Sequence, residues 1–120
     1  MNNKELELAK KAAAILDGKK AQDVIIIDIR SKASFADYFV LASGTNERMV
    51  GSLSEEVEDQ LGDAGMEPHN IEGDRHSGWI LMDYGDVIVN VLSTEMRDRY
   101  NIEKVWGDCT FITLEDSDNE

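Results

Sequence analysis

Trp79-Ile80-Leu81-Met82-Asp83-Tyr84-Gly85-Asp86-Val87-Ile88-Val89-Asn90-Val91-Leu92 is the stretch that decides the fold. Two apolar runs, residues 79–83 and 87–92, flank Tyr84-Gly85-Asp86. A short connector holding a glycine between such runs is a hairpin signal. Upstream, residues 24–29 form a β-branched run apolar on both faces, which suits a strand inside a sheet with helices packed against it. Residues 38–42 read as another strand, entered through the polar Arg30-Ser31-Lys32-Ala33-Ser34.

Helices lie around these strands. In residues 3–17, Leu6, Ala9, Ala13 and Leu16 recur at helical spacing, Leu8, Ala12 and Ile15 widen the stripe, and Gly18 ends it. Thr45 or Asn46 caps a second helix running to about residue 64, with Met49, Val50, Leu53, Val57 and Leu61 on its apolar side. Gly65 fits the left-handed position after it, and Pro68 blocks continuation. Residues 66–78, broken by Gly73 and Gly78, read as loop. Residues 94–100 form a short helix capped by Ser93 or Thr94, with Glu95 in its first turn. Residues 109–114 read as a last strand at an edge, with Cys109 a small buried hydrophobe on it. The order α-β-β-α-β-β-α-β predicts an α/β fold, a single-domain mixed-sheet α/β sandwich over residues 1–114. Residues 115–120, four acids among six, read as an acidic disordered tail.

The 120 residues suit one domain, and 42% hydrophobic residues supply a core without a disulfide or metal. No apolar run approaches the roughly 20 residues needed to span a bilayer. The opening Met1-Asn2-Asn3-Lys4-Glu5 has neither the apolar stretch of a secretory leader nor the character of a transit peptide, so a cytoplasmic location is expected. One cysteine excludes an internal disulfide and a thiolate metal cluster.

Net charge is −13, from 25 acids against 12 bases. Nucleic-acid binding draws on clustered Lys and Arg, so this balance argues against direct RNA or DNA binding. Residues 1–20 hold five lysines against Glu5, Glu7 and Asp17, a local net of +2, and the remainder carries −15. An acidic body is steered toward a basic partner, although acidity also serves solubility alone.

Catalysis requires convergent nucleophiles, acids, bases or ligands. His69 and His76 stand seven residues apart in a loop without an adjacent cysteine, and the serines lack an elbow or triad pattern. No glycine-rich phosphate loop follows a strand. The best enzymatic candidates are Asp83 and Asp86 near strand ends, with Asp28 and Asp37 at the others, where paired carboxylates would hold Mg²⁺ for nucleotidyl transfer. Asp beside a hairpin is also ordinary turn chemistry. No catalytic residue, cofactor or metal is assigned.

Trp79, Tyr84, Arg97, Tyr100 and Trp106 fall in the same stretch, and these residue types dominate interface hot spots. Core packing is the competing role of the tryptophans. Arg97 has internal partners available in Glu103 or Asp83.

Asp37-Tyr38-Phe39-Val40-Leu41-Ala42-Ser43-Gly44, then Glu72-Gly73, then residues 78–89, then Arg97-Asp98-Arg99-Tyr100-Asn101-Ile102-Glu103-Lys104-Val105-Trp106 strongly resemble the ribosomal silencing factor family, the Iojap-like proteins of bacteria, mitochondria and chloroplasts. The resemblance spans residues 5–115. It implies a nucleotidyltransferase-like fold without the catalytic residues, and a translation repressor that binds the large ribosomal subunit through its fourteenth protein. Such a factor blocks joining of the small subunit when nutrients are scarce. Trp79, Asp83, Tyr84, Asp86, Arg97, Tyr100, Glu103 and Trp106 match the family pattern and are the expected ribosomal-protein-binding residues. Among them Tyr84, Asp86, Arg97 and Tyr100 are expected to touch the partner, with the tryptophans shaping the surface. The resemblance also implies a possible homodimer. Asn90 stands where the family usually has His, which excludes a general base there and leaves a structural hydrogen bond. A residual Mg-dependent nucleotidyltransferase-like enzyme is the alternative.

Overall fold

Residues 79–93 fold as two antiparallel strands, β4 (Trp79–Asp83) and β5 (Val87–Ser93), with Trp79 opposite Leu92 and Asp83 opposite Ile88. The computed structural model describes residues 4–114. Before the hairpin come α1 (Lys4–Gly18), β1 (Gln22–Asp28), β2 (Tyr38–Gly44), α2 (Glu47–Asp63), β3 (Asn70–Glu72) and a 3₁₀ turn at Arg75–Ser77. After it come α3 (Thr94–Tyr100), α4 (Ile102–Val105) and β6 (Thr110–Ile112). The strands form one sheet in the order β3-β4-β5-β2-β1-β6. β2 and β5 run parallel at its centre and every other neighbouring pair is antiparallel. This is the expected α/β class with a mixed sheet.

Alternation along the strands separates two faces. On one, Val40 and Ala42 of β2, Ile80 and Met82 of β4, and Val87, Val89 and Val91 of β5 pack against α1 and α2. α1 presents Ala9, Ala12, Ala13 and Leu16, whose small side chains let the helix lie close to the sheet. α2 presents Val50, Leu53, Val57 and Leu61 along one stripe. Asn46, not Thr45, caps α2, its side chain accepting from the Met49 amide at 2.8 Å. The helix ends as the sequence predicts. Gly65 takes φ +87°, and the Met66 amide donates back to the Leu61 carbonyl at 2.8 Å.

The second face carries Ile27, Leu41, Ile88 and Leu92, and its cover is much shorter. The seven residues of α3 and the four of α4 cross it, followed by the turn into β6, and Ile29, Ala33 and Ala36 of the β1–β2 connection pack beside them. Ile102 closes over the centre, while Ile25, Phe39, Trp79, Leu81, Met96, Trp106 and Phe111 stay half-buried around it.

Three expectations change. Residues 66–78 are not all loop, because Asn70-Ile71-Glu72 is drawn into the sheet by pairing with β4, Asn70 opposite Asp83. Gly73 permits the return, since a Cβ there would collide with the Trp79 carbonyl oxygen. Cys109 is half-buried and precedes β6 instead of lying on it, its amide closing a turn onto the Trp106 carbonyl at 2.9 Å. α4 is an added single turn. The acidic tail, residues 115–120, lies outside the described residues.

Candidate docking face

The thinly covered face of the sheet gathers Trp79, Tyr100 and Trp106 of the residues expected to bind. Trp79 begins β4, and its indole Nε1–H donates to Asn90 Oδ1 at 3.0 Å. Asn90 is buried between Ile88 and Leu92 on β5, and its side chain makes the structural hydrogen bond that an asparagine there allows. Its Nδ2 has no hydrogen-bond partner among the described residues. Tyr100, 49% exposed at the end of α3, stacks on the Trp79 ring with centroids 5.2 Å apart and planes tilted by 50°. At the end of α4, Trp106 meets the Phe39 ring edge-on at 5.4 Å and the Phe35 ring at 6.4 Å. Edge-to-face packing suits the aromatic quadrupole and fixes the relative orientation of the rings.

Phe35 extends this surface through its contact with Trp106 and, like the exposed Val105 on α4, was not singled out from the sequence. They are 58% and 67% exposed, and large apolar side chains so open to water mark an interaction surface when they cluster with others. Trp79, Tyr100, Trp106, Phe39 and Leu81 supply that cluster. The available signal was apolar residues beside strand ends and on short helices, which pattern reading does not separate from core.

Arg97 is turned inward. It is 7% exposed, and its guanidinium makes a two-pronged pair with Glu103, Nε to Oε1 at 2.9 Å and Nη2 to Oε2 at 3.0 Å. It also donates to Ser43 Oγ on β2 at 2.9 Å and to the Asp23 carbonyl on β1 at 2.8 Å. Of the two internal partners open in the sequence, Glu103 is the one used. The hydrogen bond from Arg97, with its charge, holds the Glu103 carboxyl below its ordinary range against the opposing effect of burial.

Tyr84 and Asp86 lie elsewhere. Tyr84 packs in the core beneath α1 and α2, 8% exposed, with its hydroxyl lacking a hydrogen-bond partner among the described residues. Burial, with Glu58 and Glu67 nearby, pushes that phenol up to about 12. Asp86 is exposed beside the N-terminus of α1, lining a 610 Å³ groove with Lys4, Glu5, Lys11 and Met66. Asp83 caps the hairpin turn, its Oδ1 accepting from the Gly85 amide at 2.7 Å.

The carboxylates that come together are therefore Glu5, Asp37 and Asp86, with oxygens within 4.8 Å of one another, and Asp83 is not among them. Burial first, then Asp86 and Glu5, raise the Asp37 carboxyl above its usual range. Asp37 and Asp86 precede β2 and β5, so the trio sits at the N-terminal ends of the parallel strands. Ligand crevices of α/β sheets lie outside the carboxyl ends. The five lysines of residues 1–20 make no single basic patch, since Glu7 and Asp17 interrupt the exposed side of α1 and Lys19 pairs with Glu56 at 3.7 Å. No described helix is long and apolar enough to cross a membrane.

The chain is thus a mixed-sheet α/β domain with one face sealed by long helices and the other left as an aromatic platform. The comparisons with known proteins agree. The family described as ribosomal silencing factor during starvation (RsfS) matches residues 2–120, and the chain belongs to that family. It is 36% identical to the ribosomal silencing factor RsfS of Bacillus subtilis over 115 residues, covering 96% of both chains. It is 26% identical to a mouse protein named mitochondrial assembly of ribosomal large subunit protein 1, over 78% of this chain and 42% of that one. A solved structure from Chromobacterium violaceum superimposes with a TM-score of 0.83 at 33% identity, over 88% of each chain.

Proposed function

We propose that this protein binds the large ribosomal subunit in the cytoplasm through the subunit's fourteenth protein, blocks joining of the small subunit sterically, and represses translation when nutrients are scarce. Its working unit is residues 1–114, and it acts by occupancy without catalysis. The observation that carries this reading is the aromatic surface on the thinly covered sheet face, where Phe35 and Tyr100 are exposed and Trp106 is half-buried against Phe35. A surface of this kind is stable in water when a partner covers it. The acidic balance of the chain complements a basic ribosomal protein. Tyr100 and Trp106 are the direct contacts, Trp79 supports Tyr100, and Asp86 adds charge steering from the end of the sheet where β2 and β5 begin.

The test is association of purified large subunits with the protein, read by cosedimentation, and formation of whole ribosomes from separated subunits. Saturating protein is expected to reduce reassociation, and Tyr100→Ala to weaken binding by about tenfold, as for a central aromatic anchor. Unchanged reassociation at saturation overturns the reading. The same face is where a second copy would dock, so sedimentation of the free protein with and without Tyr100→Ala tests the homodimer.

A further inference from the structure

Tyr100 and Trp106 end two helices that are too short to hold a shape by themselves, since one or two turns do not offset the cost of nucleation. Between those helices stands one residue, Asn101, in the left-handed region at φ +44°. A joint of one residue leaves soft dihedrals, and the angle between α3 and α4 must be set from elsewhere. The two residues that straddle the joint are Arg97 and Glu103. We infer that their partly buried pair is the positioning element of the docking face, fixing α3 against α4 so that Tyr100 rests on Trp79 and Trp106 on Phe39. This rests on the ribosome-docking reading of that face.

The geometry suits the role. A guanidinium is a rigid fork, and both prongs engage the Glu103 carboxylate, which fixes direction as well as distance. Its remaining bonds reach β2 at Ser43 and β1 at Asp23, so one side chain ties both helices to two strands. Asp23 sits in a β-bulge between Gln22 and Ile25, at φ +51°. A bulge re-aims the local backbone, and here the carbonyl it frees is the one that Arg97 takes. Arg97 is too buried for a partner to touch. Any effect it has on binding passes through the groups it holds in place.

The experiment uses the full chain with Glu103→Gln, which keeps the shape and removes the charge, and Arg97→Lys, which keeps the charge and removes the fork. Glu95→Gln is the control, because Glu95 makes only a loose exposed pair with Arg99 at 3.8 Å. Hydrogen exchange is expected to quicken over residues 94–109 in both test variants, to stay unchanged over residues 79–93, and to be unaffected in the control. Binding to purified large subunits should weaken about tenfold in Glu103→Gln alone and about twofold or less in a Tyr100→Ala background, the non-additivity of residues that act as one unit. Unchanged exchange over residues 94–109, or full additivity with Tyr100→Ala, overturns the positioning role. Quickened exchange with binding indifferent to both Glu103→Gln and Tyr100→Ala overturns the docking reading of this face and leaves the pair a purely mechanical tie.

Discussion

Tyr84 shows how far a residue's type can stand from its role. Phenol side chains are favoured at interfaces, yet this one is sealed in the core with a hydroxyl that no described group satisfies. An unpaired buried hydroxyl costs stability on the order of 1 kcal/mol or more. Tyr84→Phe is therefore expected to leave stability unchanged or raise it by up to about 1 kcal/mol in urea denaturation, with ribosome binding intact. Weakened binding by a normally folded Tyr84→Phe would make Tyr84 a direct contact. Asn90 and Arg97 carry the same lesson in opposite directions. The hydrogen-bonding capacity of Asn90 was readable from its identity, and only its partner, the Trp79 indole, needed the fold. For Arg97 the candidate partner Glu103 was visible six residues along the chain, but burial depended on Ser43 and Asp23, which no local pattern places nearby.

The α3–α4 segment is the element on which the proposed docking and stability meet. Glu103 is only partly buried, and its carboxyl is held below its ordinary value, near 4.5, chiefly by the hydrogen bond from Arg97. A carboxyl lowered in the folded state stabilises fully above its unfolded value, and that contribution is lost as pH falls through the folded one. Residues 94–109 are thus expected to loosen in acid before the central strands do, read by hydrogen exchange at pH 7, 5 and 3.5. Asp28 and Asp108 are lowered as well, by Arg30 and Lys32, so the part due to Glu103 is the difference from Glu103→Gln, in which the acid loosening should be shallower. Long elements were legible in the sequence because apolar spacing repeats over several turns, as in α1 and α2. β3 was not legible, since its three residues are all exposed and become a strand only through the edge that β4 offers. α4, at four residues, spans barely one helical turn, so apolar spacing has no room to repeat along it.

For the whole molecule, charge and shape act at different ranges. A chain of net charge −13 meeting a basic surface gains attraction that salt screens, whereas the aromatic contact is insensitive to screening. Binding to large subunits is expected to weaken by about tenfold between 50 and 500 mM monovalent salt, with most of the change in the association rate, and stopped-flow measurement checks it. Salt-independent association would remove steering from the account. By itself the sequence determined the α/β class, the central strands, both long helices and the family, because each is written in local spacing or contiguous motif. Only the tertiary structure decided which half of residues 79–106 faces outward. Strand alternation creates two apolar faces but says nothing of which receives long helices. Here 15- and 17-residue helices seal one face and a short strap crosses the other. The unequal lengths of their covers leave Tyr100 and Trp106 on the thinly covered face, where docking is proposed, while Tyr84 and Arg97 lie inside.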